Sequence, residues 1–175
     1  MSKKIWKILM PVMIFLVVGG IWFYKNEEKQ VEKQQLAVNA SLQYPLLITE
    51  LNLPELLGQG LPVMIDFGAD YCPPCREMAP TLRELNAEYQ GRMIIVYADI
   101  ERYPKLAEGF PLEVIPTQFF FNRDGSPYVP SAKRDMQLQR YVDKATNQHK
   151  LTAHQGLLRR AQLIEIFKEL GVSDA

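Results

Sequence analysis

Cysteine and histidine are scarce in this chain of 175 residues, which contains two of each. Both cysteines, Cys72 and Cys75, lie within four residues, whereas a disulfide-stapled fold distributes several cysteines along the chain. A structural zinc site needs two further ligands, and the histidines, His149 and His154, follow more than 70 residues later. We therefore expect both histidines at the surface or at a sheet edge. Two isolated cysteines this close together indicate a redox-active pair.

An excess of charge is also lacking, because the formal net charge is zero. The first 25 residues carry four lysines and no acidic residue, which leaves 16 basic and 20 acidic residues in the remaining 150. Nucleic-acid binding needs clustered lysine and arginine, so this mildly acidic body argues against a nucleic-acid partner. Hydrophobic residues make up 47%, which is typical of a folded domain and too high for a disordered chain.

Residues 1–25 combine a basic start with a long apolar run. Three lysines precede 17 uncharged residues, from Ile8 to Tyr24. An apolar helix of about 20 residues matches the bilayer core, and aromatic residues at both ends suit its interfaces. Because basic residues stay on the cytoplasmic side, we predict one transmembrane helix in the cell (inner) membrane, with the N-terminus cytoplasmic and the domain outside.

Two alternatives remain for this segment. One is a cleaved secretory signal with residues 18–20 as a weak cleavage site, after which the domain is secreted or periplasmic. The other is a buried core helix, against which the basic flank argues. Residues 26–43 are charged and rich in glutamine. They are interpreted as a linker between the membrane and the domain.

Residues 44–175 are predicted to form an α/β domain. Short apolar runs between turn residues indicate buried strands, and apolar residues at helical spacing indicate helices. Strands that alternate with helices predict a central mixed sheet, mostly parallel, flanked by helices. The predicted strands are 63–67, 93–97, 117–121 and a fourth, edge strand near 150–153. The predicted helices are a helix-like stretch over 46–57, a helix from Cys72 to about Gly91, a short helix at 103–109 and a last helix ending at Gly171.

The cysteine pair follows a buried strand and opens a helix, as Cys72-Pro73-Pro74-Cys75. At a helix start the two sulfurs lie about one turn apart, and free amide protons favour the thiolate. Cys72 is therefore the expected nucleophile and Cys75 the resolving thiol. The alternatives are a structural disulfide or half of a metal site, although a bridge across four residues constrains the unfolded chain very little.

Asp66 stands out as a carboxylate inside an apolar strand. Burial would raise its pKa and make it a proton acceptor for a thiol, whereas at an exposed strand end it would simply cap a loop. The segment Ile115-Pro116-Thr117 places a proline just before a strand, where a cis bond would bring a backbone edge beside the cysteines. The sequence leaves the cis and trans forms of this bond open.

Three motifs stand in register: Ile65-Asp66-Phe67-Gly68-Ala69 followed by Tyr71-Cys72-x-x-Cys75, then Arg76-Glu77-Met78-Ala79-Pro80, and Val114-Ile115-Pro116-Thr117. With them, the segment from Met64 to Tyr128 resembles the thioredoxin family. The last helix and the short segment before it resemble the family's closing strand and helix, so that the resemblance covers roughly 100 of the 175 residues.

The resemblance implies a thioredoxin-like fold in which Cys72 and Cys75 are catalytic and Asp66 assists the inner cysteine. Pro116 would be the family's cis-proline, and the Ile115 backbone would bind a partner peptide. We expect no cofactor and no metal. The predicted substrate-binding residues are Tyr71, Ile115, Pro116 and Thr117.

Several positions depart from the family pattern. Gly68 and Tyr71 replace tryptophans, Tyr97 stands where the family often has a lysine, and Pro73-Pro74 differs from the usual Gly-Pro. An insertion at about 125–149 also lengthens the connection before the last strand. We predict a helix there, capped by Ser131, that either docks a partner or packs peripherally. Its apolar face would comprise Met136, Leu138, Tyr141, Val142 and Ala145.

The leading functional prediction is a protein thiol–disulfide oxidoreductase that acts on protein thiols or disulfides outside the cytoplasm. By family analogy it is a reductase supplied by a membrane electron carrier, although the Pro-Pro dipeptide leaves an oxidant open. The alternatives are a non-enzymatic metal-binding or chaperone module, in which two thiolates hold a soft ion such as Cu(I), and an assembly scaffold with a vestigial fold.

Overall fold

The computed structural model describes residue 13 and residues 16–23, 25–26, 42–131 and 137–173. The chain divides into two compact units, Met1–Ser41 and Leu42–Ala175. In the first unit the described residues are helical. Among the described residues, no helix is both long enough and apolar enough to cross a membrane. The predicted transmembrane helix lies partly outside the described residues.

The second unit contains a mixed six-stranded sheet with the strand order β1-β3-β2-β4-β6-β5. Its strands are β1 (Leu47–Ile48), β2 (Val63–Gly68), β3 (Ile94–Asp99), β4 (Thr117–Phe121), β5 (Leu138–Val142) and β6 (His149–Gln155). Its described helices are α1 (Leu53–Leu57), α2 (Pro73–Glu88), α3 (Arg160–Glu169) and a 3-10 helix at Pro104–Ala107. The α/β architecture and the three buried strands were predicted correctly.

The expectation of a mostly parallel sheet was wrong. Strand β3 pairs in parallel with β1 and β2, but the β2–β4, β4–β6 and β5–β6 pairs are antiparallel. One of the antiparallel pairs, β5–β6, is a hairpin with a short connection, whereas parallel strands need a long crossover.

Side chains alternate across the sheet and form two cores. On β2, Val63, Ile65 and Phe67 belong to the core that α1 covers. Met64 belongs to the other core, together with the apolar faces of α2 and α3. Because strand residues alternate between faces, Asp66 shares the face of Met64 and lies toward α2.

The insertion forms a strand where a helix was predicted. Residues 138–142 are β5, which pairs antiparallel with β6, so β6 is not the edge strand that we predicted. The Tyr141 ring lies near that of Phe119 of β4, with ring centroids 6.4 Å apart and the planes tilted by 41°. The apolar spacing in this segment is compatible with a helix or a strand, and hydrogen bonding to β6 stabilises the strand. Residues 132–136, which carry the start of the predicted helix and Met136, lie outside the described residues.

The stretch 46–57 is also not one helix. Leu47 and Ile48 pair with Tyr97 and Ala98 of β3 as a short parallel strand. The helix α1 begins only after Asn52, whose side chain caps it, and Pro54 occupies its first turn. Pro54 therefore starts this helix, since the first turn needs no amide proton from it.

Candidate functional site

The two cysteines lie at the start of α2 and are joined by a disulfide, with their Cα atoms 5.3 Å apart. Cys72 is the N-cap residue of the helix and Cys75 lies within its first turn. Both side chains are nearly buried. Strand β2 ends at Gly68, so the loop that contains Tyr71 carries the chain directly from the sheet to the cysteines.

The helix start supplies one close hydrogen-bond donor to the outer sulfur. The amide of Cys75 donates to Cys72 Sγ at 3.3 Å. Pro73 and Pro74 have no amide proton, so Cys75 is the first residue after Cys72 that can cap its sulfur. The two prolines thus restrict the stabilisation of a Cys72 thiolate to this amide and to the positive end of the helix.

The loop before β4 lies against the outer cysteine. The Ile115–Pro116 peptide bond is cis, and the Ile115 carbonyl oxygen lies 3.7 Å from Cys72 Sγ. Thr117 is buried, and its hydroxyl donates to the Val114 carbonyl at 2.7 Å, so its side chain holds this loop in shape.

Exposed apolar side chains border the same place. Tyr71 is 66% exposed and Val114 is 49% exposed. One precedes Cys72 and the other precedes Ile115. The structure therefore brings the predicted residues Cys72 and Ile115 together, with the exposed ring of Tyr71 next to Cys72 and the buried Pro116 directly after Ile115.

Asp66 is completely buried on β2. Its Oδ1 accepts a hydrogen bond of 2.7 Å from Gln118 Nε2, and its Oδ2 has no hydrogen-bond partner among the described residues. Desolvation raises the pKa of Asp66 to about 7, although the Gln118 hydrogen bond acts in the opposite direction. The carboxyl is therefore not a cap at an exposed strand end, and near neutral pH its protonated and ionised forms are both populated.

Two departures from the family pattern, Gly68 and Tyr97, form one feature beside the inner cysteine. A Cβ atom at Gly68 would lie 2.8 Å from the Tyr97 hydroxyl oxygen and 3.2 Å from Cys75 Sγ. A tryptophan at position 68 therefore has no space while Tyr97 occupies it. Burial, followed by the charge of Asp66, raises the pKa of Tyr97 above its usual value, so its hydroxyl stays neutral.

Two residues that we did not predict complete the surroundings of Asp66. Gln118 is buried on β4, and its Oε1 lies 3.0 Å from His154 Nδ1 on β6. His154 was expected at the surface or an edge, but it is half-buried inside the sheet. A polar residue within the apolar run Thr117–Phe121 was a signal of the same kind as Asp66, and we did not use it.

As thiolates, Cys72 and Cys75 would be ligands for a soft metal ion. Among the described residues, no group of three or more histidine, cysteine, aspartate or glutamate side chains is arranged to hold a metal ion.

Comparison with known proteins identifies relatives of this chain. Residues 47–144 match the family model for thioredoxin. The chain is 41% identical over 61 residues to thioredoxin 1 of Chlorobaculum tepidum, covering 35% of this chain and 60% of that protein. It is 36% identical over 80 residues to the thioredoxin of Staphylococcus haemolyticus, covering 46% and 75% respectively.

Other relatives are matched over shorter shares of their length or at lower identity. The chain is 35% identical to thioredoxin Y1 of Arabidopsis thaliana over 41% of each protein. Among solved structures, chloroplastic thioredoxin z aligns with a TM-score of 0.51 at 20% identity, over 72% of this chain and 93% of that one, which shows a shared fold. The family model and the relatives agree, and the chain belongs to the thioredoxin family.

Proposed function

We propose that this protein is a thiol–disulfide oxidoreductase that exchanges disulfides with exported proteins through its Cys-Pro-Pro-Cys pair. The observation that carries the proposal is the position of the Cys72–Cys75 disulfide at the first turn of α2. The Ile115 carbonyl lies beside Cys72, and the buried Asp66 lies on the strand that precedes the pair. The thioredoxins of other organisms that this chain resembles support the oxidoreductase activity.

In the reducing direction, the Cys72 thiolate attacks one sulfur of a substrate disulfide. A Cys72–substrate disulfide forms, and the other substrate sulfur leaves as a thiolate. Cys75 then loses its proton and attacks Cys72 Sγ, which forms the Cys72–Cys75 bond and releases the second substrate thiolate. Two electrons pass to the substrate, which takes up two protons and leaves as a dithiol, while the protein pair is oxidised.

In this mechanism Asp66 takes the proton of Cys75. Asp66 and Gly68 are two residues apart on β2 and project from the same face. The Gly68 position lies against Cys75 Sγ, which places the carboxyl on the inner side of the pair. A pKa of about 7 means that the protonated and ionised forms of Asp66 both exist at neutral pH, as proton transfer requires.

A substrate peptide binds in this proposal along the loop that contains the cis bond. Tyr71, which precedes Cys72, and Val114, which precedes Ile115, offer exposed apolar surface. The backbone of Ile115 runs beside the sulfur, so an extended peptide there presents its own sulfur to Cys72. Pro116 cannot donate a backbone hydrogen bond, which leaves Ile115 and its neighbours to hold the peptide.

The proposed direction is reduction of the substrate. The Ile115 carbonyl oxygen faces Cys72 Sγ, and the Asp66 carboxyl is buried on the side of Cys75. Acceptor oxygens and negative charge disfavour a nearby thiolate. Strongly oxidising pairs depend on a stabilised reduced form, so these surroundings favour a pair that gives up its electrons.

The proposed location rests on the sequence. Residues 1–25 act as a single-pass membrane anchor with a cytoplasmic N-terminus, residues 26–43 as a linker, and residues 44–175 as the domain outside the cytoplasm. Three lysines before 17 uncharged residues support this arrangement. A reductase in that location needs electrons from a membrane carrier. A membrane-impermeant maleimide should label the reduced cysteines in intact cells, and labelling only after lysis would contradict the location.

The chemistry is tested with an aromatic disulfide that releases a coloured thiolate. Reduced wild-type protein should release both thiolates and retain no adduct. A Cys75→Ser variant should release one and retain the other as a stable adduct on Cys72, whereas a Cys72→Ser variant should react slowly. Equal behaviour of the two serine variants would refute the assignment of nucleophile and resolving thiol.

A further inference from the structure

Three polar side chains lie in a row across adjacent strands behind the cysteine pair. Asp66 of β2 is registered opposite Gln118 of β4, and Gln118 is registered opposite His154 of β6. Directly opposed residues of antiparallel strands have their side chains on the same face. The row therefore runs along the sheet face that α2 covers, from the buried acid to the half-buried histidine.

The hydrogen bonds in the row have a defined direction. Gln118 Nε2 has two protons, and it donates to Asp66 Oδ1 at 2.7 Å and to the Gly156 carbonyl at 3.2 Å. The other end of the amide, Oε1, is an acceptor and lies 3.0 Å from His154 Nδ1. A neutral His154 must therefore carry its proton on Nδ1 and donate it to Gln118.

We propose that Gln118 and His154 are positioning residues for the buried acid. His154 fixes the orientation of the Gln118 amide, and Gln118 holds Oδ1 of Asp66, so that Oδ2 remains to receive the Cys75 proton. The inference rests on the proposed role of Asp66 in proton transfer. It extends that role to two residues outside the family motifs in this sequence.

The chemistry of an amide supports positioning rather than proton relay. Neutral Gln118 has no proton to transfer under ordinary conditions, but its N–H stabilises the ionised form of Asp66. This hydrogen bond opposes the rise that burial imposes on the pKa of Asp66. Without it, a larger fraction of Asp66 would be protonated at neutral pH and unable to accept a proton from a thiol.

The titratable groups around Asp66 come from three elements. Cys75 lies on α2, Tyr97 on β3 and His154, through Gln118, on β6. Burial lowers the pKa of His154 and raises that of Tyr97, so both are neutral at neutral pH. The Gln118 hydrogen bond is consequently the polar contact that offsets the burial of the Asp66 charge.

The insertion pairs with the strand that carries His154, the outermost residue of the row. Leu138 of β5 is registered opposite His154 on β6. Since β5 belongs to the segment 125–149, the insertion covers the strand that carries the histidine. A role for the insertion in holding His154 follows from this pairing.

The test is the pH titration of the Asp66 carboxyl carbon by NMR in the full-length oxidised protein. A Gln118→Leu variant should raise the titration midpoint by about one pH unit, the shift expected for the loss of one hydrogen bond to a charge. A His154→Leu variant should raise it by a smaller amount. A His154→Asn variant should restore it, because the Asn amide nitrogen stands near the place of His Nδ1.

His149→Leu is the matched control, since His149 lies on the same strand and bonds to Leu151 and Thr152 instead. It should leave the midpoint unchanged. If Gln118→Leu does not fold, the comparison of His154→Leu with His154→Asn is the test, since His154 is half-exposed. A titration midpoint of Asp66 within about 0.2 pH unit of wild type in folded His154→Leu protein would overturn the inference, because the Gln118–Asp66 hydrogen bond would then not depend on His154.

The role of Asp66 itself is tested separately. An Asp66→Asn variant that resolves mixed disulfides at the wild-type rate would remove the proton-acceptor role. A fixed titration midpoint in the Gln118 and His154 variants would remove only their positioning role.

Discussion

Gly68 and Tyr97 occupy complementary space beside the inner cysteine. A Cβ atom at Gly68 would lie 2.8 Å from the Tyr97 hydroxyl oxygen, closer than unbonded atoms approach, and 3.2 Å from Cys75 Sγ. The glycine at the end of β2 is therefore the counterpart of the tyrosine on β3.

A Gly68→Ala variant should lower the free energy of unfolding by about 1–3 kcal/mol, because the added methyl group overpacks the space beside Tyr97. In a Tyr97→Leu background the same change should cost clearly less, since the ring is gone. Urea unfolding of the four oxidised proteins measures this coupling. An equal cost in both backgrounds would show that Tyr97 is not the obstacle.

Burial of Asp66 predicts an unusual dependence of stability on pH. Its pKa rises from 3.8 to about 7 on folding, so the folded protein binds more protons than the unfolded chain between these values. Stability should therefore fall as pH rises from 4 to 7, by about 4 kcal/mol in the limit of a complete shift. An Asp66→Asn variant has no carboxyl to titrate and should lack this fall.

Urea unfolding of oxidised wild-type and Asp66→Asn protein at intervals from pH 4 to pH 8 measures the difference. The two curves should converge toward low pH and separate toward high pH, with the variant more stable. Parallel curves would mean that folding does not raise the pKa of Asp66.

The same variant should separate the two chemical steps. Attack by Cys72 on a small disulfide should keep its rate, whereas displacement by Cys75 at pH 7 should slow by about 100-fold, the lower range for loss of a general base. Stopped-flow measurement of the two released thiolates resolves the steps. Slowing of both steps to the same degree would assign Asp66 a structural role only.

The prolines between the cysteines predict a further effect. Pro74 at the second helical position has no amide proton, and Pro74→Ala supplies one within reach of Cys72 Sγ. The new donor should stabilise the thiolate and lower the midpoint of Cys72 alkylation by about one pH unit. Pro73→Ala is the control, because the amide of the first position does not cap the N-cap side chain.

The central parts of the fold were readable from sequence because local pattern and tertiary environment agree there. Strands 63–67, 93–97 and 117–121 are apolar runs that the structure buries on both faces. The cysteine pair and Pro116 were found because three short motifs keep their family spacing. Asp66 was noticed because a carboxylate conflicts with its apolar strand.

The parts that were missed depend on partners distant in sequence. Leu138–Val142 has spacing that suits a helix, and only pairing with β6 makes it a strand. Leu47 and Ile48 became a strand for the same reason, by pairing with β3. The contacts of Gln118 depend on the strand register, which places it between Asp66 and His154.

The reduction potential of the Cys72–Cys75 pair in the full-length protein tests the account most directly. It is measured by equilibration with a thiol–disulfide buffer and alkylation of the free thiols. We predict a value near about −270 mV, that of a reductant. A value near about −120 mV would contradict the proposed direction, and a pair that forms no disulfide would contradict the oxidoreductase itself and favour the metal-binding module.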